Sequence, residues 1–422
     1  MFFYIHKTNK SLFFYQKMKE LNDISINILS SSTKEIRYLV SSNTNYFETN
    51  ALTAELLTSL KEANNKNDGI KNFITKNHKY SFEQINELIE TIILPKIKTI
   101  EKKPAPFLYQ RNLLNKEQIS KITESLSILF NKYFMIFTML IFMILDIFFF
   151  TRNKDLVTFN EQTGVLSFLV LLFLIVISSA FHELGHASAC KFCGAEHGGI
   201  GIGLYINFPV LYTDVTNIWK LPRKKRCLVN FAGVYFQCII LIPLILSYEI
   251  THYFLIRYLI LIINFGFLLT LNPFFKFDGY WMVSDILGVT NLRERSKETI
   301  KYIIQNITHR HYTLKRPYLF RLKPIAKFGF ILYAITVNLF LSFYLFYIIP
   351  LFVCKFADRF PEEIYKLIMY FSVGAMPPLA LLHSIFSQAI FFIIIVYMLL
   401  RLAKPFLGRY NKRNSTNEDS QA

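Results

Sequence analysis

Hydrophobic positions divide the chain near residue 130. Beyond that point, apolar residues form continuous runs at about 133–150, 165–190, 227–248, 253–275, 327–350 and 378–401. Each is long enough to cross a hydrocarbon layer of about 30 Å, so the pattern predicts six membrane-spanning helices. The stretch 364–377, with Gly374 and Pro377 and followed by Pro378, reads as interfacial rather than as a seventh pass. Before residue 130 the apolar groups are short. "EIRYLVSS" and "YFETN" read as strands. "NALTAELLTSLKEANN" reads as a helix capped by Asn50, and "SFEQINELIETIILPKI" opens with Ser81 and Gln84 in capping-box register and closes at Pro95. These segments predict a small soluble α/β domain over 1–105, a polar linker over 106–132, a mainly α-helical transmembrane domain over 133–405, and a polar tail over 406–422.

Composition supports an integral membrane protein: 53% of the 422 residues are hydrophobic, with 43 Phe and 24 Tyr. The net charge of +18 does not point to nucleic acid, because the basic residues gather between apolar runs, in "KLPRKKR" at 220–226, from Arg293 to Lys327, and in "RLAKPFLGRYNKR". The loops near 151–163, 249–252 and 355–363 mix both signs. By the positive-inside rule both termini are expected in the cytoplasm. "MFFYIHKTNKSLFFYQK" lacks the pattern of a signal peptide. Cys190, Cys193, Cys227, Cys238 and Cys354 form no disulfide framework. Cys190 and Cys193 read as reduced thiols at a helix end, with a second metal or redox site as the alternative.

Candidate chemistry lies in "FHELGHASAC" at 181–190. On a helix His182 and His186 share a face, one turn apart, so both imidazoles can reach one zinc ion. Glu183 beside them can act as the catalytic base. Counted from Gly164 at the outer surface, His182 lies about 27 Å along the helix, inside the inner leaflet. Ionisable residues at that depth are costly, about 2.5–3.5 kcal/mol each on insertion scales, and metal binding offsets this; a helix end reaching interfacial water is the alternative. A catalytic zinc needs a third protein ligand. Asp278 in "LLTLNPFFKFDGYWMVSDILGV" is the candidate, because it follows a pass that returns to the same leaflet. Asn272-Pro273 interrupts that pass, as helices do where they line a site, and Gly279 permits close backbone approach. A solvated interfacial turn is the bland alternative for this stretch. His197 and Asp214, in the segment that follows the His-Glu helix, could reach substrate or the groups around the site, with interfacial placement the simpler reading of both.

"HELGH" on one apolar run and "NPFFKFDG" on a later one resemble the site-2 protease family of intramembrane zinc metallopeptidases, of the bacterial peptide-maturation type. The resemblance covers about residues 165 to 290. It implies that His182, His186 and Asp278 bind Zn2+, that Glu183 is the catalytic base, and that Asn272 helps hold the substrate. "GIGLYINFPVLYTDV" is similar to the family's re-entrant strand region, and "NFAGVYFQC" to the start of the next helix. Two positions depart from the pattern: Gly233-Val234 replaces Gly-Pro, and Phe277 replaces the Leu before the aspartate. The N-terminal order of strands then capped helices is similar to winged-helix leader-binding domains of ribosomal-peptide maturation. That similarity implies a leader peptide, and with it peptide-modifying or export proteins, as partners; a domain that only packs on the membrane part is the alternative. The function implied is an endopeptidase in the bacterial plasma membrane, acting on a membrane-associated or precursor-peptide substrate. The alternatives are a non-proteolytic export or immunity component that keeps the zinc, and a zinc transporter or sensor. Glu183 argues against both, because a pure binding site needs no base.

Overall fold

The computed structural model describes residues 24–42, 45–63, 65–95, 107–153, 165–205, 208–308, 316–378, 380–397 and 400. The chain divides into two units, one up to Leu332 and one from Tyr333 onward.

The first unit opens with an antiparallel sheet of β1 (Ile24–Leu29), β2 (Arg37–Ser42) and β3 (Asn45–Asn50), with β2 in the centre. Three helices follow: α1 (Ala51–Glu62), α2 (Lys66–Lys76) and α3 (Phe82–Leu88), the last continuing through a π turn at Ile89–Ile93. Asn50 caps α1 by accepting from Thr53 N, and Ser81 and Gln84 form the expected capping box. Ile24, Val40, Leu56, Leu57, Ile70, Phe73 and Ile85 bury the inner faces in one core. The sequence pattern missed β1 and α2. The helical segment of α2, "KNDGIKNFITK", buries only Gly69, Ile70 and Phe73, too narrow an apolar stripe to stand out.

The stretch expected to be a linker is structured. β4 (Phe107–Leu114) pairs antiparallel with β5 (Ile200–Tyr205), which pairs with β6 (Phe208–Thr213). The strand was missed because its partner lies far along the chain. Next come α4 (Lys116–Leu126) and a 3-10 turn, Ser127–Phe130. α4 buries Ile119 and Thr123.

The apolar helices of this unit are α5 (Lys132–Arg152), α6 (Val165–Cys193), α7 (Arg223–Thr251) and α8 (Phe254–Thr270). A 3-10 turn at Thr216–Lys220 precedes α7, and α9 (Asp278–Leu287) and α10 (Leu292–Ile307) follow α8. α7 is the hub, packing on α5, α6, α8 and α9. Phe142, Phe149, Val234, Leu241, Ile245 and Ile260 form its core on one side, and Phe130, Ala189, Ala232, Tyr235 and Phe236 on the other.

α11 (Pro324–Phe343) runs into the second unit and, through a π turn at Tyr344–Ile348, into α12 (Ile349–Ser372). The mixed-charge loop expected at 355–363 is therefore helical, with Pro361 inside α12 and Lys366 paired to Glu362 one turn away. The expected interfacial stretch 364–377 is the end of that helix followed by a Gly374 turn at φ +66°. The last described helix, α13 (Ala380–Tyr397), meets α12 through Phe352–Phe391 and Phe356–Phe392 ring contacts and through Glu363, which accepts from Ser384 and Gln388.

Among the described residues, five helical runs are long and apolar enough to cross a membrane: Lys132–Arg152, Leu166–Cys193, Arg223–Thr251, Pro324–Ser372 and Ala380–Tyr397. The pass expected at 253–275 is a helix of 17 residues that stops at Thr270, because Pro273 cannot donate to a continuing ladder.

Candidate metal centre

The structure brings His182, His186 and Asp278 together. His182 Nε2 lies 3.1 Å from Asp278 Oδ2, His186 Nε2 lies 3.2 Å from the same oxygen, and the two Nε2 atoms are 3.1 Å apart. Both histidines come from the second half of α6, four residues apart on one face. Asp278 opens α9, reached through a tight reversal after α8; a Cβ on Gly279 would overlap the Leu271 carbonyl. Only glycine allows that approach.

Each imidazole is oriented through its other nitrogen. His186 Nδ1 donates to the Val229 carbonyl at 2.7 Å, and His182 Nδ1 donates to Gln237 Oε1 at 3.2 Å, while Gln237 Nε2 donates to Ser178 Oγ at 3.4 Å. These partners assign the proton to Nδ1 in both rings and leave both Nε2 lone pairs facing Asp278. Three lone pairs then meet across 3.1–3.2 Å, an arrangement that is favourable only around a shared cation. A proton bridges two such atoms; a metal ion serves all three. Tetrahedral zinc with bonds of about 2.0–2.1 Å separates its ligand atoms by about 3.3–3.4 Å, close to the observed triangle. The donor set, two imidazoles and one carboxylate with outer partners in place, fits zinc.

Space for the centre is made where α6 and α7 touch. A Cβ on Gly233 would overlap the His182 ring, and one on Gly185 would press on the Ala232 carbonyl and the Phe236 ring. Two apolar helices thus approach through glycines placed beside the histidines.

Glu183 is half-buried, and its carboxyl lies within electrostatic reach of His182, His186 and Asp278. Its backbone carbonyl accepts from Thr213 Oγ1 at 3.0 Å, which ties β6 to the His-Glu turn. Asn272 sits in the turn before α9. Its Oδ1 accepts from Phe274 N at 2.7 Å, so Nδ2 is the donor it can offer. His197 is buried away from the triad, against Thr123 Oγ1 at 3.1 Å. Asp214 closes a turn by accepting from Thr216 N at 3.0 Å. Cys190 and Cys193 are free and buried in the α6–α7 core. Asp146 is held by Asn264 Nδ2 at 3.0 Å, joining α5 to α8.

Sequence reasoning missed Gln237, Ser178, Val229 and Thr213. A signal for one face was present: Asn230, Gly233 and Gln237 recur at helical spacing in the apolar run of α7, which marks the side turned to a polar site. It also missed a buried pair that anchors α9. Arg226 Nε donates to Asp285 Oδ1 at 2.6 Å, and Asn230 Nδ2 donates to Asp285 Oδ2 at 3.1 Å. Burial pushes the Asp285 carboxyl above the usual carboxylate range, and the Arg226 guanidinium opposes that shift.

The N-terminal domain docks on the same region. Ser32 N donates to the Gly288 carbonyl at 3.0 Å and Arg223 donates to Ser32 Oγ at 2.6 Å, while Glu48 of β3 accepts from Thr290 and from Tyr318 and pairs with Arg37 at 3.3 Å. Tyr46 OH donates to Asn217 Oδ1 at 2.9 Å. No known protein family, curated protein or solved structure matches the chain.

Proposed function

We propose that this chain is a zinc-dependent intramembrane endopeptidase of the site-2 protease kind. The observation that carries the reading is the convergence of His182 Nε2, His186 Nε2 and Asp278 Oδ2 at the end of an apolar helix, with Glu183 on the same turn. Zinc at these residues supplies Lewis acidity toward a peptide carbonyl and toward water. Glu183 takes the proton from the attacking water and returns it to the leaving amine. Asn272 Nδ2 donates to the peptide carbonyl oxygen. Gln237 and Val229 keep both rings in the tautomer that presents Nε2.

The chain is read as a multi-pass protein of a bacterial plasma membrane with both termini in the cytoplasm, supported by its five long apolar helices and its basic loops. Its substrate is a membrane-associated or precursor peptide. The N-terminal domain is proposed to hold a leader segment, supported by an apolar groove of about 300 Å³ between α1, α2 and α3, floored by Leu56, Phe73, Tyr80 and Ile85. A non-proteolytic export or immunity role is the second reading, since the same donor set also suits a binding site.

Glu183→Gln separates the two. The amide is nearly isosteric and cannot take a proton, so zinc content is expected to persist while processing falls at least ~10²-fold. Cells carrying the variant are expected to accumulate a longer peptide than wild type. Equal peptide lengths in the two strains reject the peptidase reading in favour of the binding role.

A further inference from the structure

Beside the metal centre, against the β4–β6 sheet, lies a cavity of about 550 Å³ that no step of the proposed reaction uses. That volume is ordinary for a site that takes a small molecule or a peptide side chain. The cavity shares walls with the centre. Thr213 lines it and bonds the Glu183 carbonyl; Asn230 lines it and follows Val229, which holds His186; Trp281 lines it and lies one helical turn past Asp278.

Its chemistry is specific. Trp219 and Trp281, the only two tryptophans in the chain, stand edge to face with centroids 6.2 Å apart. Gln110 and Asn112 line it from β4, and Tyr212 donates to Asn112 Oδ1 at 2.9 Å. Of the three charged residues that line it, Arg226 and Asp285 neutralise one another, which leaves the exposed Asp214 carboxylate as the excess charge. The cavity already seats one guanidinium on an aromatic ring: Arg226 Cζ lies 5.0 Å from the Trp219 centroid.

We propose that this cavity is a subsite for a basic side chain, arginine or lysine, of a peptide held across the metal centre. An indole-lined wall with one net negative charge attracts a cation through both ring quadrupole and carboxylate. An acidic side chain meets Asp214, and an apolar one forgoes both the carboxylate and the ring quadrupoles. The subsite's place in a substrate rests on the peptidase reading; the cavity's affinity for a cation does not.

The two tryptophans make occupancy directly readable. Full-length protein in detergent, titrated with N-acetyl-arginine amide, is expected to show a saturable change in tryptophan emission. The neutral isostere N-acetyl-citrulline amide is expected to bind at least about tenfold more weakly. Asp214→Asn should weaken the arginine amide about tenfold, and Gln110→Glu should tighten it, a gain that misfolding cannot produce. Glu183→Gln protein should bind as wild type does, so a failed peptidase reading leaves this result standing. The absence of a saturable change, equal affinity for the two amides, or an Asp214→Asn and Gln110→Glu pair that both bind as wild type overturns the proposal.

Discussion

Gly233 leaves room for the His182 ring, where a Cβ would overlap it. Gly233→Ala is therefore expected to push that imidazole off the Asp278 oxygen while α7 stays helical, since alanine is the better helix former. Zinc affinity measured by competition with a chelator should fall at least about tenfold, with circular dichroism unchanged. Asp278→Ala removes one of the three converging donor groups and leaves the two Nε2 lone pairs 3.1 Å apart with no anion between them. Its zinc content by elemental analysis is expected to drop well below one per chain, whereas Asn272→Ala, whose side chain accepts from Phe274 N in its own turn, should retain zinc.

The elements around the centre are held by a polar joint. Arg226 on α7 and Asp285 on α9 are both buried, so removing the cation strands a carboxylate. Arg226→Met is expected to cost about 3 kcal/mol or more and to loosen α9, which presents Asp278. The double variant Arg226→Met with Asp285→Leu should recover most of the lost stability in thermal unfolding, because neither charge is then stranded. This joint shows where sequence reading stops. His182, His186 and Glu183 were legible because they share one helical turn, and Asp278 because Asn272-Pro273 marks a break before it. The pairing of Arg226 with Asp285 was not legible, since "KLPRKKR" reads as a surface-charge run that sets topology and only the fold turns one of its arginines inward. β4 was hidden for a related reason. "FLYQRNLL" lacks strict alternation, and its register with β5 carries two irregularities, so local pattern favoured a linker. At 355–363 the charges suggested a loop, but Glu362 and Lys366 pair one turn apart and suit the helix they occupy.

At the scale of the molecule, the N-terminal domain is fixed to the region of the site by a buried cluster in which Arg37 and Tyr318 meet Glu48 and Arg295 stacks on the Tyr318 ring at 4.3 Å. Burial, reinforced by the Glu48 carboxylate, raises the Tyr318 phenol above its ordinary value of 10.0. A phenol raised on folding favours the protonated form in the folded state. Its stabilising contribution is therefore complete below about pH 10, the unfolded value, and is lost as pH rises through the folded one. The melting temperature of wild type is expected to fall more steeply between pH 9 and about 11 than that of Tyr318→Phe, and parallel slopes would remove Tyr318 from the dock.

The β4–β5 pairing also imposes an order on biogenesis. β4 leaves the ribosome before α5 and α6, yet its partner β5 follows them both. The strand must wait for this partner while two apolar helices are synthesised. Only then can the hairpin of β5 and β6 return to it and bring Thr213 against the Glu183 turn. The wall beside the Glu183 turn can therefore close only after both of those helices have been made. A nascent chain stalled before β5 would carry both histidines without that wall and without Asp278, which opens α9 still later in the chain, so the three donor groups can meet only after all strands of this sheet have been made.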